Sequence, residues 1–226
     1  MGVKYIYNLK RGIKMKITGA IFDMDGTLLN SMDYWAVVPT EYLNLKGITP
    51  KEDTNRYFLE IGMKEWYKYQ EIPYPFEEVS RDIYLLMEKH YLNDVSLKDG
   101  ALDMLNRLKD EGVKICLATA TDKFMVEKIL DKLNIRDYFL TILTVKEVGK
   151  GKRFPLIYEK ALEFLGTDKE TTYVFEDAYY AINTCYQNSF KVVGVYDKNV
   201  FVPESEIIPM CDLYLDKDSK YRFEIN

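Results

Sequence analysis

Asp23 and Asp25 stand two residues apart directly after a short, largely apolar run, Ile17-Thr18-Gly19-Ala20-Ile21-Phe22. Glu176 and Asp177 follow a second run, Thr172-Tyr173-Val174-Phe175, and Thr119 closes a third, Val113-Lys114-Ile115-Cys116-Leu117-Ala118. Apolar runs of this length that end abruptly in polar residues are the pattern of strands buried on both faces of a parallel sheet. In open parallel sheets, ligands bind beyond the carboxyl ends of the strands, so these five residues are expected to converge on one sheet edge. Carboxylates gathered there repel one another unless a cation lies among them, and oxygen donors without His or Cys suit Mg²⁺.

The elements that must position them recur along the chain. Lys191-Val192-Val193-Gly194-Val195-Tyr196 runs into Asp197, and Leu140-Thr141-Ile142-Leu143 is a weaker repetition. Between the strands lie helical faces: Ala101, Leu105 and Leu108 before Gly112; Met125, Ile129 and Leu133; and Ile157, Ala161 and Leu165 before Gly166. Strand and helix alternate from residue 97 onward, which predicts an α/β, Rossmann-like parallel sheet flanked by helices. Residues 31–96 break the alternation. They are rich in Tyr and Trp, and Trp35, Val38 and Tyr42, then Tyr84, Met87 and Tyr91, fit helical faces. The expected organisation is a core over 15–30 and 97–226, an inserted helical cap over 31–96, and a loose N-terminal extension over 1–14.

Composition narrows the function classes. The 226 residues include 47% hydrophobic and 30% charged ones, an ordinary globular balance. A formal net charge of -5, with Lys and Arg scattered, argues against a nucleic-acid backbone as partner. Cys116, Cys185 and Cys211 are far apart and His90 is the single histidine, so the sequence does not suggest a zinc site. The cysteine usage fits a reduced compartment, and no apolar run approaches the ~20 residues of a membrane span, so a cytoplasmic location is expected.

With these residues in view, the sequence resembles the haloacid dehalogenase superfamily of phosphotransferases, in its β-phosphoglucomutase-like branch with a helical cap. Asp23-Met24-Asp25-Gly26-Thr27-Leu28 fits the family's DxDGT pattern, Thr119 closes the second motif, Lys152-Arg153-Phe154-Pro155-Leu156-Ile157-Tyr158 resembles KPxPxIY, and Glu176-Asp177 is the fourth. The four stand in order and together span roughly residues 15–200.

The resemblance implies a Mg²⁺-dependent phosphatase. Asp23 would be the nucleophile, forming an aspartyl-phosphate that splits one hard displacement into two easier ones. Asp25 would protonate the leaving oxygen and then accept a proton from water, so the two carboxyls need different proton affinities. Asp23, the backbone carbonyl of Asp25, Asp177 and Glu176 would hold the metal. Thr119, Lys152 and the Ala120 amide would bind the phosphoryl oxygens. Lys146 and Lys150 lie near Lys152, and the spacing to Pro155 and Ile157-Tyr158 favours Lys152. Glu176-Asp177 also suits a helix N-cap, and the aromatic residues of the cap are expected to be core rather than substrate platform.

Departures from the family pattern bear on the reaction. Arg153 stands where the family usually has Pro, Leu156 where it often has Asp, and Tyr179-Tyr180 where small residues are common. Dehalogenases lack the second aspartate of the first motif, so Asp25 argues against that reaction. Mutase-like relatives often carry a His twelve residues after the nucleophile; that position is Trp35. The stretch from Leu59 to Trp66 offers only Lys64 where mutases use a cap arginine. Both features favour a phosphatase acting on a small phosphorylated metabolite, a sugar phosphate or a nucleotide, over a mutase, and the presence of both Asp23 and Asp25 argues against a catalytically idle binding protein.

Overall fold

The computed structural model describes residues 14–219, 221, 224 and 225. The extension expected over residues 1–14 lies outside these, except for Lys14, which is in a strand: β1 (Lys14–Met15) pairs in parallel with β8 (Glu224–Ile225).

Two compact units divide at residues 30/31 and 96/97. The larger holds a six-stranded sheet of β2 (Gly19–Phe22), β3 (Lys114–Thr119), β4 (Thr141–Thr144), β5 (Thr172–Glu176), β6 (Lys191–Val195) and β7 (Leu213–Leu215). Its order is β4-β3-β2-β5-β6-β7, and every neighbouring pair is parallel. The chain builds outward from β2 to β4, then returns to β5 and builds the other way. The reversal falls between β2 and β5, the place where such sheets open a ligand crevice at their carboxyl edge.

Six helices connect the strands: α5 (Ala101–Asp110), α6 (Lys123–Lys132), α7 (Val145–Val148), α8 (Leu156–Leu165), α9 (Tyr179–Gln187) and α10 (Glu204–Ile207). Ile21, Cys116, Val174 and Val192 of the central strands pack with Ile157, Ala161 and Leu165 of α8 and Ile182 of α9. Burying each large aliphatic side chain contributes about 1.5–3 kcal/mol, which anchors the strand ends that carry the site. Gly194 is required by a close approach: a Cβ there would lie 2.6 Å from Cys211 Sγ.

Strand boundaries differ slightly from the sequence pattern. β2 begins at Gly19 rather than Ile17, although Thr18 N still donates to Thr171 O. β4 is shifted one residue because Leu140 is exposed, leaving Thr141 as the first residue of the ladder.

The smaller unit consists of α1 (Met32–Leu45), α2 (Thr54–Ile61), α3 (Met63–Gln70) and α4 (Phe76–Asn93), with α1 packed on α2 and α4. Its interior is aromatic. Phe58 lies between Trp35, at a ring-centroid distance of 6.2 Å, and Trp66, at 5.3 Å. Each indole N–H has a partner, as buried indoles require: Trp66 Nε1 donates to Thr54 Oγ1 at 2.8 Å and Trp35 Nε1 to Tyr91 Oη at 3.0 Å. His90 stacks on Tyr34 and faces Glu41 and Asp94 through its two ring nitrogens.

Candidate active site

Asp23 is the first residue beyond β2, and its N–H donates to Phe175 O of β5 at 3.0 Å, which ties it to the neighbouring strand. The chain then turns sharply. Leu28 N and Leu29 N both donate to Met24 O at 2.9 Å, and Gly26 takes a φ of 80°, a left-handed conformation that costs glycine little and other residues more. The turn leaves Asp23 buried and Asp25 half-buried, with Asp25 Oδ2 accepting from Thr121 Oγ1 at 2.7 Å.

Glu176, the last residue of β5, is fully buried, and Asp177, which follows it, is nearly so. One carboxylate oxygen each from Asp23, Glu176 and Asp177 lie within 4.8 Å of one another. Lys152 is buried with them: its Nζ donates to Asp23 Oδ1 and, at 2.5 Å, to Glu176 Oε1. Of the three neighbouring lysines it alone enters the cluster. Lys146 pairs with Asp122, and exposed Lys150 lies over the Phe154 ring. Thr119 ends β3 fully buried, its Oγ1 accepting from Thr121 N at 3.1 Å, and Ala120 follows in the exposed turn toward α6.

The helix-capping reading of Glu176-Asp177 does not hold. The N-cap of α9 is Ala178, with no side-chain cap; Glu176 Oε2 instead accepts from Ala178 N at 3.3 Å, one residue before the helix. Lys152, Tyr158 and the Ala178 amide hold Glu176 in the cluster, and the Thr27 hydroxyl holds Asp177.

Three contributors were not among the expected site residues, although Thr27 is the threonine of the first motif and Tyr158 the tyrosine of the third. Tyr158 donates to Glu176 Oε1 at 3.0 Å, Thr27 donates to Asp177 Oδ1 at 2.9 Å, and Thr121 holds Asp25. The partners are separated by 18, 150 and 96 residues, so spacing could not reveal the two longer pairs.

The electrostatics follow from burial. Burial, aided by the Glu176 and Asp25 charges and opposed by Lys152, pushes the Asp23 carboxyl up to about 8. Asp177 is raised well above the carboxylate range, first by burial and then by Asp23 and Glu176. For Lys152, burial works against the ammonium, but Asp23 and Glu176 overcome it and hold the proton. With all three carboxyls ionised, one ammonium would leave two negative charges uncompensated, which is why the metal-free site holds protons, and the donors are all oxygens. That combination fits a hard divalent cation.

A parallel sheet whose strand ends gather three carboxylates and a lysine defines a class of phosphate-handling and metal-handling α/β proteins. The family comparison makes it specific: residues 20–195 match the model of the haloacid dehalogenase-like hydrolases, and the chain belongs to that family.

Hexitol phosphatase B of Escherichia coli strain K12 is 26% identical over 174 residues, covering 72% of this chain and 76% of the relative. Two solved structures share the fold. CbbY from Rhodobacter sphaeroides in complex with phosphate has a TM-score of 0.78 at 21% identity, covering 90% of this chain and 95% of the other. β-Phosphoglucomutase from Clostridium difficile has a TM-score of 0.74 at 20% identity, covering 92% and 94%. No helix among the described residues is long and apolar enough to cross a membrane.

Proposed function

We propose that the protein is a Mg²⁺-dependent phosphatase that hydrolyses a small phosphomonoester, a sugar phosphate or a nucleotide, through an aspartyl-phosphate on Asp23. The observation that carries this reading is the buried cluster of Asp23, Glu176 and Asp177 with Lys152, placed at the carboxyl edge of the sheet beside Asp25.

In this reading Asp23 attacks phosphorus and the ester oxygen leaves. Asp25 gives that oxygen a proton and later takes one from the water that releases phosphate. The Thr121 hydroxyl holds the Asp25 carboxyl in place for both duties. Thr119, Lys152 and the Ala120 amide bind the phosphoryl oxygens, Lys152 bringing a charge kept by its acidic neighbours. Asp23, Asp177 and the main-chain carbonyl of Asp25 would hold Mg²⁺. Glu176 would act directly or through water, since its oxygens already accept from Lys152, Tyr158 and Ala178. Bound there, the cation supplies the charge neutralisation that lets an anionic carboxylate approach an anionic phosphate.

Trp35 favours hydrolysis over mutase chemistry. It stands at the position of the mutase-like His, yet its indole is committed to Tyr91 and the aromatic interior of the helical unit. Lys64, the cation offered in place of a cap arginine, is exposed.

The test is a panel of phosphorylated metabolites assayed for phosphate release with EDTA-stripped protein and added Mg²⁺. The panel includes β-glucose 1-phosphate with and without glucose 1,6-bisphosphate. Metal-dependent release without the bisphosphate is expected; bisphosphate-dependent isomerisation that outpaces hydrolysis would replace the phosphatase by a mutase.

A further inference from the structure

Beyond the span matched by the family, the chain continues through β7 to Tyr221, a buried residue near the C-terminus. The Tyr221 hydroxyl donates to the main-chain carbonyl of Thr27, in the turn that follows the candidate nucleophile, 194 residues away in sequence. Thr27 in turn donates through its own hydroxyl to Asp177 Oδ1, and it is fully buried.

Tyr221 is held firmly for this contact. Arg107 Nη2 donates to its carbonyl at 2.7 Å, and the Ser219 hydroxyl, two residues earlier, closes a turn on Asp216 at 2.7 Å. Its φ of 55° is left-handed, a conformation that costs a bulky residue of order 1–3 kcal/mol and persists where surrounding contacts over-determine it.

We propose that Tyr221 is a positioning residue of the active site: its hydroxyl fixes the Thr27 main chain, which aims the Thr27 hydroxyl at Asp177 and sets the rotamer of that carboxylate within the acidic cluster. The proposal rests on the metal-dependent reading of the cluster. It deepens that reading by making the C-terminal segment part of the catalytic apparatus. Burial, with the Asp177 and Asp23 charges, raises the Tyr221 hydroxyl well above its ordinary value, so it remains a donor. Removing it leaves the Thr27 carbonyl without that donor and loosens the link to Asp177. Direct partners of a metal ligand, Thr27 here, typically change metal affinity about 10–100-fold, and Tyr221, one step further out, is expected at the low end of that range.

The test uses the full chain with Tyr221→Phe, which keeps the ring and removes the hydroxyl. Metal-free and Mg²⁺-titrated melting curves give the cation midpoint without any turnover, and phosphate release gives kcat and KM. A cation midpoint raised about tenfold is expected, together with a lower kcat at unchanged KM. The same change made in a Thr27→Val background should add little, because the hydroxyl through which Tyr221 acts is already gone. A midpoint and kcat equal to wild type would overturn the proposal. So would an undiminished effect in the Thr27→Val background, or a Tyr221→Phe chain that does not fold, since each makes Tyr221 irrelevant or merely structural. A wild-type chain whose melting responds to Mg²⁺ but which releases no phosphate would defeat the phosphatase reading, while the midpoint comparison would still judge Tyr221.

Discussion

The two units of this chain spend their polar side chains differently. In the sheet unit, Asp23, Glu176, Asp177 and Lys152 are buried together, with the acids crowded closer than carboxylates without a cation would choose. In the helical unit, buried polar groups mainly satisfy one another: Trp66 and Gln70 both donate to Thr54, and Trp35 donates to Tyr91. The first arrangement costs stability and is ready for a ligand. The second completes a core. Buried polarity alone therefore does not mark a site; an excess of buried acids over the cations beside them does.

The sharpest way to break this comparison is Asp23→Asn, which keeps the size of the side chain and removes the proposed nucleophile. Turnover should fall by at least about three orders of magnitude, with the fold retained by circular dichroism. Near-normal phosphate release would end the distinction between the two units. Metal removal comes next: EDTA should abolish activity, Mg²⁺ should restore it, and Ca²⁺ should restore it poorly, because its larger and looser shell does not hold the in-line geometry. Full activity in chelated protein would show that the acidic cluster works without a cation.

Much of this was legible in the chain itself. The apolar runs ending in Asp23, Thr119 and Glu176 announced parallel strands, and Gly112 and Gly166, with φ of 72° and 59°, follow α5 and α8 as the helical patterns implied. Strand ends one or two residues off reflect a bend at Thr18, whose backbone is still bonded on both sides, and the exposure of Leu140. Thr121 and Tyr221 were invisible for a different reason. A threonine after a strand and a tyrosine near a terminus are ordinary in composition, and their roles come from contacts 96 and 194 residues away. The pairing of β1 with β8 is illegible on the same ground, since two-residue strands have no period to read.

A smaller effect sharpens the account of the helical unit. Trp66→Phe removes the bond to Thr54 and some packing volume, and should destabilise that unit by about 1–3 kcal/mol in chemical denaturation. Activity per folded molecule should stay within about threefold. Loss of turnover without loss of stability would place chemistry in a region assigned to packing.

A further effect concerns pH. Asp23 is raised from 3.8 to about 8 in the fold, so the folded state binds more protons than the unfolded state between those values. Stability of the metal-free protein should therefore decline as pH rises through that window, and Asp177 acts in the same direction. Lys152, raised in the fold, stays charged throughout and does not reverse the trend. Each kcal/mol lost should lower Tm by about 2–4 °C. Mg²⁺ should raise Tm more at about pH 8 than at about pH 5.5, and Asp23→Asn should flatten the metal-free slope. A metal-free Tm that climbs across the window would contradict the burial of uncompensated acids.

The central claim is that Asp23 becomes covalently phosphorylated during turnover. Quenching the reaction with a rapidly hydrolysed ester, reducing with borohydride and sequencing the peptides by mass spectrometry reads this directly. Homoserine at position 23, dependent on substrate and absent when substrate is withheld, is the predicted result. Rapid turnover that leaves Asp23 unmodified under conditions that trap a control aspartyl-phosphate would contradict it.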